Sequence, residues 1–519
     1  MESISELRWR GKSLKGIQTK SGKNGREEYE DEPLSPSALM FHEPNFNVHV
    51  IAVMGSKCTL QPQLIKDTLV HTLLKHPRFT SVPVEDEQHK MKWVVTEVDL
   101  DQHIVVPELE TDEGENNPLL RGGSSPADKL VEDYIYNLSK TSLPKSKPLW
   151  DLHLLNLRTS DAEAVAILRI HHSLGDGASL ISLLLACTRQ TAHPHLLPTI
   201  PTKKRRPPPS TMSSTSYASP KFWTYFVSMW HVVLMMWHSI VDVIMAVATA
   251  MFLKDTATPI KAMPGSQFHP RRVVFRTLSL HDFKVIKNAM DMTINDVGLG
   301  VTQAGLSRYL NRRYGEGKES HLGDRDTDNG KHLPDNILLR STLLVNLRPS
   351  AGIQALADMM EKESEAKWGN WIGYVILPFR IALRDNPLDY LREAKQTIDR
   401  KKRSLEALYT FFIAEFVLKL FGIKVAGWLS HRILEHTTMC FSNLVGPEEE
   451  IGFCGHPMAY LAPCSYGQPH GLMINFLSYV NKMTMVLSVD ENVIPNPHQL
   501  LEDLEMSLNI MKDAVVAKD

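Results

Sequence analysis

Cysteine is scarce in this chain. Five are present among 519 residues (Cys58, Cys187, Cys440, Cys454 and Cys464), and no two form a C-x-x-C pair. An odd number of isolated thiols argues against a disulfide framework or a structural zinc. It fits a reducing compartment or the cytosolic face of a membrane. Charge of one sign is also lacking: the formal net charge is −2, so no basic face is expected and no nucleic-acid partner. The sequence contains neither G-x-x-x-x-G-K-[ST] nor G-x-S-x-G, which removes a P-loop and a nucleophile elbow. Residues 1–32 hold no apolar run, so a disordered polar tail is expected there rather than a signal peptide. Glu2, standing where glycine would be required, speaks against N-myristoylation.

What is present is the composition of a globular protein, 43% hydrophobic and 22% charged. At this length it should divide into about two or three domains. Between residues 33 and 200, strand-like runs ("FNVHVIAVM", "MKWVVTEVDL", "PLWDLHLLNL", "EAVAILRIHH") alternate with stretches of helical periodicity ("QLIKDTLVHTLLKHP", "ASLISLLLACTRQ"). That alternation predicts a mixed α/β domain. Residues 201–265 open with a basic Pro/Ser-rich linker containing "KKRRPPPS", too poor in apolar residues to form a core. Residues 266–519 return to α/β patterning. A helix is predicted over 293–314, a polar surface loop over 315–336, a strand over 337–349 and a long helical stretch over 386–436.

The linker is followed by a long apolar run at 222–253. Its length suffices to cross a bilayer, which takes about 20 apolar residues. On a helix its polar residues, among them Ser228, His231, His238, Ser239, Asp242 and Thr249, fall in one narrow sector. Three readings fit: a spanning helix with KKRR on the cytosolic side, an interfacial helix anchored by Trp223, Trp230 and Trp237, and a buried core helix. The interfacial reading is preferred. A single crossing would put the two α/β halves on opposite sides of the membrane, which a shared active site forbids.

The chemistry concentrates in "RIHHSLGDGASL", residues 169–180. Side chains alternate along a strand. If the strand holds to its end, Ala166, Leu168, Ile170 and His172 share one face, and Val165, Ile167, Arg169 and His171 the other. Adjacent strand residues diverge, so His171 and His172 are poorly placed to ligate one metal ion, and Asp176 offers only one carboxylate. A histidine among aliphatic side chains is held neutral by desolvation, the form that accepts a proton from an alcohol. Asp176, with Gly175 and Gly177 beside it, is placed to cap the following helix.

HHSLGDG resembles H-H-x-x-x-D-G, the signature of the coenzyme-A-dependent acyltransferase superfamily. The ordered set "PLSPSALMF" (33–41), "PLWDLHLL" (148–155), "TINDV" (293–297), "LLVNLRPS" (343–350), "WGNWIGYVILPF" (368–379) and "FSNLVGP" (441–447) is similar to motifs of the wax ester synthase/diacylglycerol acyltransferase family. The likeness extends over roughly residues 33–515. It implies an α/β fold of two chloramphenicol-acetyltransferase-like domains with the active site between them. It also implies transfer of an acyl group from long-chain acyl-CoA, as substrate rather than cofactor, to a fatty alcohol or diacylglycerol. His172 would be the general base, supported by His171 and Asp176, and Asn295 of the N-D motif would line the site. In related acyltransferases the motif aspartate is mainly structural and pairs with an arginine, for which Arg348 is the candidate here. Membrane lipid is the expected surroundings, at the cytosolic face of the endoplasmic reticulum or at the plasma membrane. The D-F-G-W-G stretch of plant acyltransferases that modify phenolics is lacking. The alternatives are another acceptor within the superfamily and a non-catalytic lipid-binding protein.

Overall fold

The structure, a computed structural model, describes residues 32–87, 90–109, 125–201, 221–319, 331–348 and 368–517. The polar tail and the basic linker fall almost wholly outside these residues. Two large mixed sheets organise the rest. The first has seven strands, in the order Ile104–Val105, Trp150–Leu155, Ala164–His171, His49–Ser56, His456–Tyr466, Ile451–Phe453 and Thr188–Gln190. The second has six: Ile372–Ile381, Ile337–Asn346, Met439–Val445, Leu472–Tyr479, Lys482–Val489 and Arg272–Ser279. A small three-stranded sheet carries Glu32–Pro33, Met91–Val95 and Ser81–Glu85.

The strand Ala164–His171 shows why the first sheet forms. It is aliphatic and buried along nearly its whole length, and helices and loops cover both faces of its sheet. Ala164, Ala166 and Ile170 enter one core with Trp150 and Leu185. Val165 and Ile167 enter a second core with Val53 and Val131. The predicted alternation of faces is therefore present. The strand stops at His171, however, and His172 opens a short 3-10 turn, His172–Leu174. In the second half, helices Leu280–Ala289, Ile294–Glu319 and Pro497–Val516 pack one face of the six-stranded sheet, giving the largest apolar core.

Three sequence expectations need correction. The strand His456–Tyr466 belongs to the first sheet, antiparallel to His49–Ser56 with Tyr466 opposite His49, so the division at residue 266 does not separate the two sheets. A strand buried on both faces carries no pattern that names its partner. The helix from Ile294 runs on to Glu319, past the predicted start of the polar loop. The long helical stretch is two helices, Leu388–Lys402 and Glu406–His436, the second broken at Gly422, whose φ of 81° is left-handed.

The apolar run forms the helix Lys221–Met251. Only 22% of its most apolar window is buried, which overturns the core-helix reading. The polar sector divides: Ser239, Asp242 and Thr249 are buried against the protein, while Ser228 and His231 are exposed.

Candidate functional site

The histidine turn lies at the end of its strand, where the sheet hands the chain to a helix. Asp176 is the N-cap of that helix, Gly177–Cys187, and its Oδ1 accepts the backbone N–H of Ser179 at 2.9 Å. Capping satisfies one of the donors that every helix start leaves unpaired. The second oxygen serves the other half of the molecule. It accepts the Arg348 guanidinium at 2.7 Å and the backbone N–H of Trp371 at 2.9 Å. Arg348 also donates to Ser179 Oγ at 3.1 Å and to the Gly369 carbonyl. Asp176 is 1% exposed, so this ion pair joins the two halves through a buried contact.

The loop 368–371 completes the clip. Trp368 Nε1 donates to the Leu174 carbonyl at 2.7 Å, and Asn370 Nδ2 to the His172 carbonyl at 3.0 Å. His172 is thus held from both sides, its own N–H donating to the Val48 carbonyl at 2.9 Å. Its ring stacks on Phe41, centroids 4.3 Å apart. Burial in these surroundings pushes the His172 imidazole below its ordinary pKa, opposed by its own carbonyl, the Asp176 charge and the Asn370 side chain. Nδ1 of His172 and Oδ1 of Asn370 are both buried without a hydrogen-bond partner among the described residues.

His171 faces a different set of groups. Its Nε2 meets Asn47 Oδ1 at 2.9 Å and its Nδ1 meets Ser173 Oγ at 2.7 Å. The ring stacks on His42 and meets His49 edge-on. Arg169, on the same face, is neutralised by Asp151 through a two-bonded ion pair.

Asn295 stands apart from these three. It is exposed at the start of its helix, and its Oδ1 accepts the Asn443 side-chain amide. Its neighbour Asp296 closes a capping box with Thr293, accepting the Thr293 N–H at 2.7 Å while Thr293 Oγ1 accepts the Asp296 N–H at 3.3 Å. The next residue after Asn443, Leu444, packs beside Gly177. The structure therefore brings His171, His172 and Asp176 around one turn. Asn295 makes no contact with them among the described residues, and side-chain alternation along the strand turns its partner Asn443 to the face opposite Leu444. Phe41 and Asn370 touch His172 and were not singled out from sequence, although each lies inside a motif that was. An apolar cavity of about 90 Å³ lies between the Gly177 helix and the sheet, lined by Ile170, Gly177, Leu180, Ile181, Leu184 and Pro463 among others.

Burial holds His42 down to about 4 and His49 to about 3, and keeps His171 well below its ordinary value. Each is therefore neutral in the fold and protonated more readily when unfolded, so the unfolded state takes up protons as pH falls below about 6.5. The midpoint of thermal unfolding is expected to be level above pH 6.5 and to fall between 6.5 and about 4. A midpoint unchanged across that window would contradict the buried neutral cluster.

Two family models match the chain: the wax ester synthase/diacylglycerol acyltransferase catalytic domain over residues 43–298 and the WS/DGAT C-terminal domain over residues 368–512. Wax ester synthase/diacylglycerol acyltransferase 6 of Arabidopsis thaliana is 48% identical over 97% of both chains. Number 5 of the same plant is 49% identical over 94% of both. The solved wax ester synthase/diacylglycerol acyltransferase from Marinobacter aquaeolei VT8 superposes with a TM-score of 0.55 at 14% identity, covering 93% of this chain and 99% of the other. A condensation domain of the monacolin K polyketide synthase MokA gives 0.51 at 11% identity, covering 94% and 97%. These two structures share the fold, a pair of α/β domains like chloramphenicol acetyltransferase. Two domain models in order, and relatives near half identity along nearly the whole length, establish that the chain is an acyltransferase belonging to the wax ester synthase/diacylglycerol acyltransferase family.

Proposed function

We propose that this enzyme moves a long-chain acyl group from acyl-CoA to the hydroxyl of a fatty alcohol or diacylglycerol, with His172 as general base. The observation that carries the reading is the fixed, desolvated imidazole of His172, stacked on Phe41 where Asn370 of the second half meets its turn. A neutral imidazole takes the hydroxyl proton as the oxygen attacks the thioester carbonyl. The C–O bond forms, the C–S bond breaks, and coenzyme A leaves as thiolate to receive the proton back. His171 supports the turn through Asn47 and Ser173, Asp176 holds the halves together, and Asn295 is assigned to the site on the family resemblance alone. The apolar cavity beside Ile170 and Gly177 suits part of a hydrocarbon tail. Acyl-CoA is a substrate, and the reading calls for no resident cofactor. The cytosolic face of the endoplasmic reticulum is the proposed location, with the plasma membrane as the alternative.

The test supplies labelled long-chain acyl-CoA with fatty alcohol and diacylglycerol together and separates the esters. Wax ester as the main product assigns the alcohol, and triacylglycerol assigns the diacylglycerol. No ester with either, from folded protein, overturns both acceptors.

The acid limb of the pH–rate profile provides a second check. Protonation removes the base, and the lowered pKa of His172 shifts that loss to below 6.5. kcat/KM is expected to be level just above pH 6.5 and to fall only on the acid side of it. An acid limb centred above 6.5 would contradict a desolvated His172.

A further inference from the structure

Two helices leave an apolar surface that nothing in the chain covers among the described residues. In Lys221–Met251, residues 225–233 are all exposed. Beyond them Met236, Trp237 and Ile244 point outward. Its neighbour Glu406–His436 exposes Phe412, Phe416, Leu420, Phe421 and Trp428. The two pack together through Ala246, Ala250, Leu429 and Ile433, and Arg432 donates to the Ala250 carbonyl at 3.0 Å.

The polar groups are turned the other way. Asp242 is 1% exposed and meets Arg400 at 2.6 Å and Lys401 at 2.9 Å. Ser239 accepts the Leu405 N–H at 3.0 Å, and Glu406 is buried against Lys401. What remains exposed and charged on the two helices, among the described residues, is Lys424 and Lys419, the latter 3.5 Å from the partly exposed Glu415, with Lys254, Lys402 and Arg403 near their ends. An apolar face rimmed by lysines and tryptophans complements an anionic lipid surface, because long basic side chains and indole rings favour the headgroup level. A second copy of the chain would bring these lysines together with only the partly exposed Glu415 and Glu435 on these helices to meet them, among the described residues.

The same helix touches the active site. Glu406–His436 packs on the segments Pro36–Met40 and Pro44–Phe46, which flank Phe41, the residue stacked on His172. Phe411 stacks on Trp371, whose N–H holds Asp176.

We propose that the two helices form a platform that enters one leaflet of a membrane, and that the lipid acceptor passes from this leaflet along Phe41 to His172. The exposed turns 225–233 are about 14 Å long at 1.5 Å per residue, roughly half of a hydrocarbon core about 30 Å thick. Beyond them the polar side of the helix is bonded to the protein, so the helix lies on the body rather than crossing alone. This route rests on the proposed transfer to a lipid hydroxyl.

The test uses the full chain with sedimentable phosphatidylcholine vesicles, with and without phosphatidylserine. The variant is F416E/F421E/W428E. Transfer is measured to a long-chain alcohol embedded in the vesicles and to a short, water-soluble alcohol from a short-chain acyl-CoA. The wild type should sediment with the vesicles. The variant should stay in the supernatant, lose about tenfold or more of its rate on the embedded alcohol, and keep its rate on the soluble one. K419E/K424E should weaken binding only where phosphatidylserine is present, and it decides the matter if the first variant fails to fold. Three outcomes would overturn the platform: sedimentation unchanged in both variants, an unchanged rate on the embedded alcohol despite lost sedimentation, or a wild-type dimer that the substitutions dissociate. A wild type that sediments yet acylates neither alcohol would overturn the function and leave the platform standing.

Discussion

Replacing His172 by alanine is expected to lower kcat by about 10²–10⁴-fold, the usual worth of a positioned general base, with the fold retained. The side chain to be removed is one face of a stack with Phe41, whereas the backbone of the turn is held independently by Val48 and Asn370. The turn should therefore survive truncation. His172→Gln, closer in volume, keeps the packing and should be as inactive, since an amide does not take up the proton. Rates in the mixed-acceptor assay and near-ultraviolet circular dichroism check both points. Either variant within about tenfold of the wild type would move the base elsewhere.

Asp176→Ala is expected to act on stability first. The substitution removes a helix cap and leaves the Arg348 guanidinium buried without its carboxylate, at a site where the arginine side chain is 5% exposed. Breaking one partner of a buried pair costs about 3–5 kcal/mol, a large share of the roughly 5–15 kcal/mol that holds a domain folded. The loss should be concentrated at the junction of the halves, because Arg348, Gly369 and Trp371 come from the second half and Asp176 and Ser179 from the first. Asp176→Asn keeps a capping oxygen and should lose less. Denaturant unfolding measures both. A variant with wild-type stability and no activity would make Asp176 a participant in the chemistry instead of the clip that holds the site.

Much of this site was legible in "RIHHSLGDGASL" because local rules govern it. Alternation assigned Ile170 and Arg169 to opposite faces, and the D-G step assigned Asp176 to a helix cap. The Arg348 pairing came from resemblance, and the geometry realises it. The direction of His172 depends on more than alternation. It was read from a strand that ends one residue earlier, so its contact with Phe41 follows from the turn and from tertiary packing. Asn370 and Trp371 reach the same turn from about 200 residues away, a distance that no local pattern spans. The strand His456–Tyr466 is apolar on both faces and could join either sheet. The helix Glu406–His436 carries as many apolar residues as a core helix would, so only the fold shows that Phe416 and Trp428 point outward. Its exposure also gives the apolar run at 222–253 a partner helix, which hydropathy along the chain did not suggest.

The measurement closest to the central claim is coenzyme A release from labelled acyl-CoA with and without the lipid acceptor, followed by mass analysis of the quenched protein. If a hydroxyl activated by His172 attacks the thioester directly, coenzyme A release should require acceptor, ester should appear in equal amount, and the protein should carry no acyl group. A stoichiometric burst of coenzyme A in the absence of acceptor, with an acylated side chain, would contradict direct transfer and the role assigned to His172.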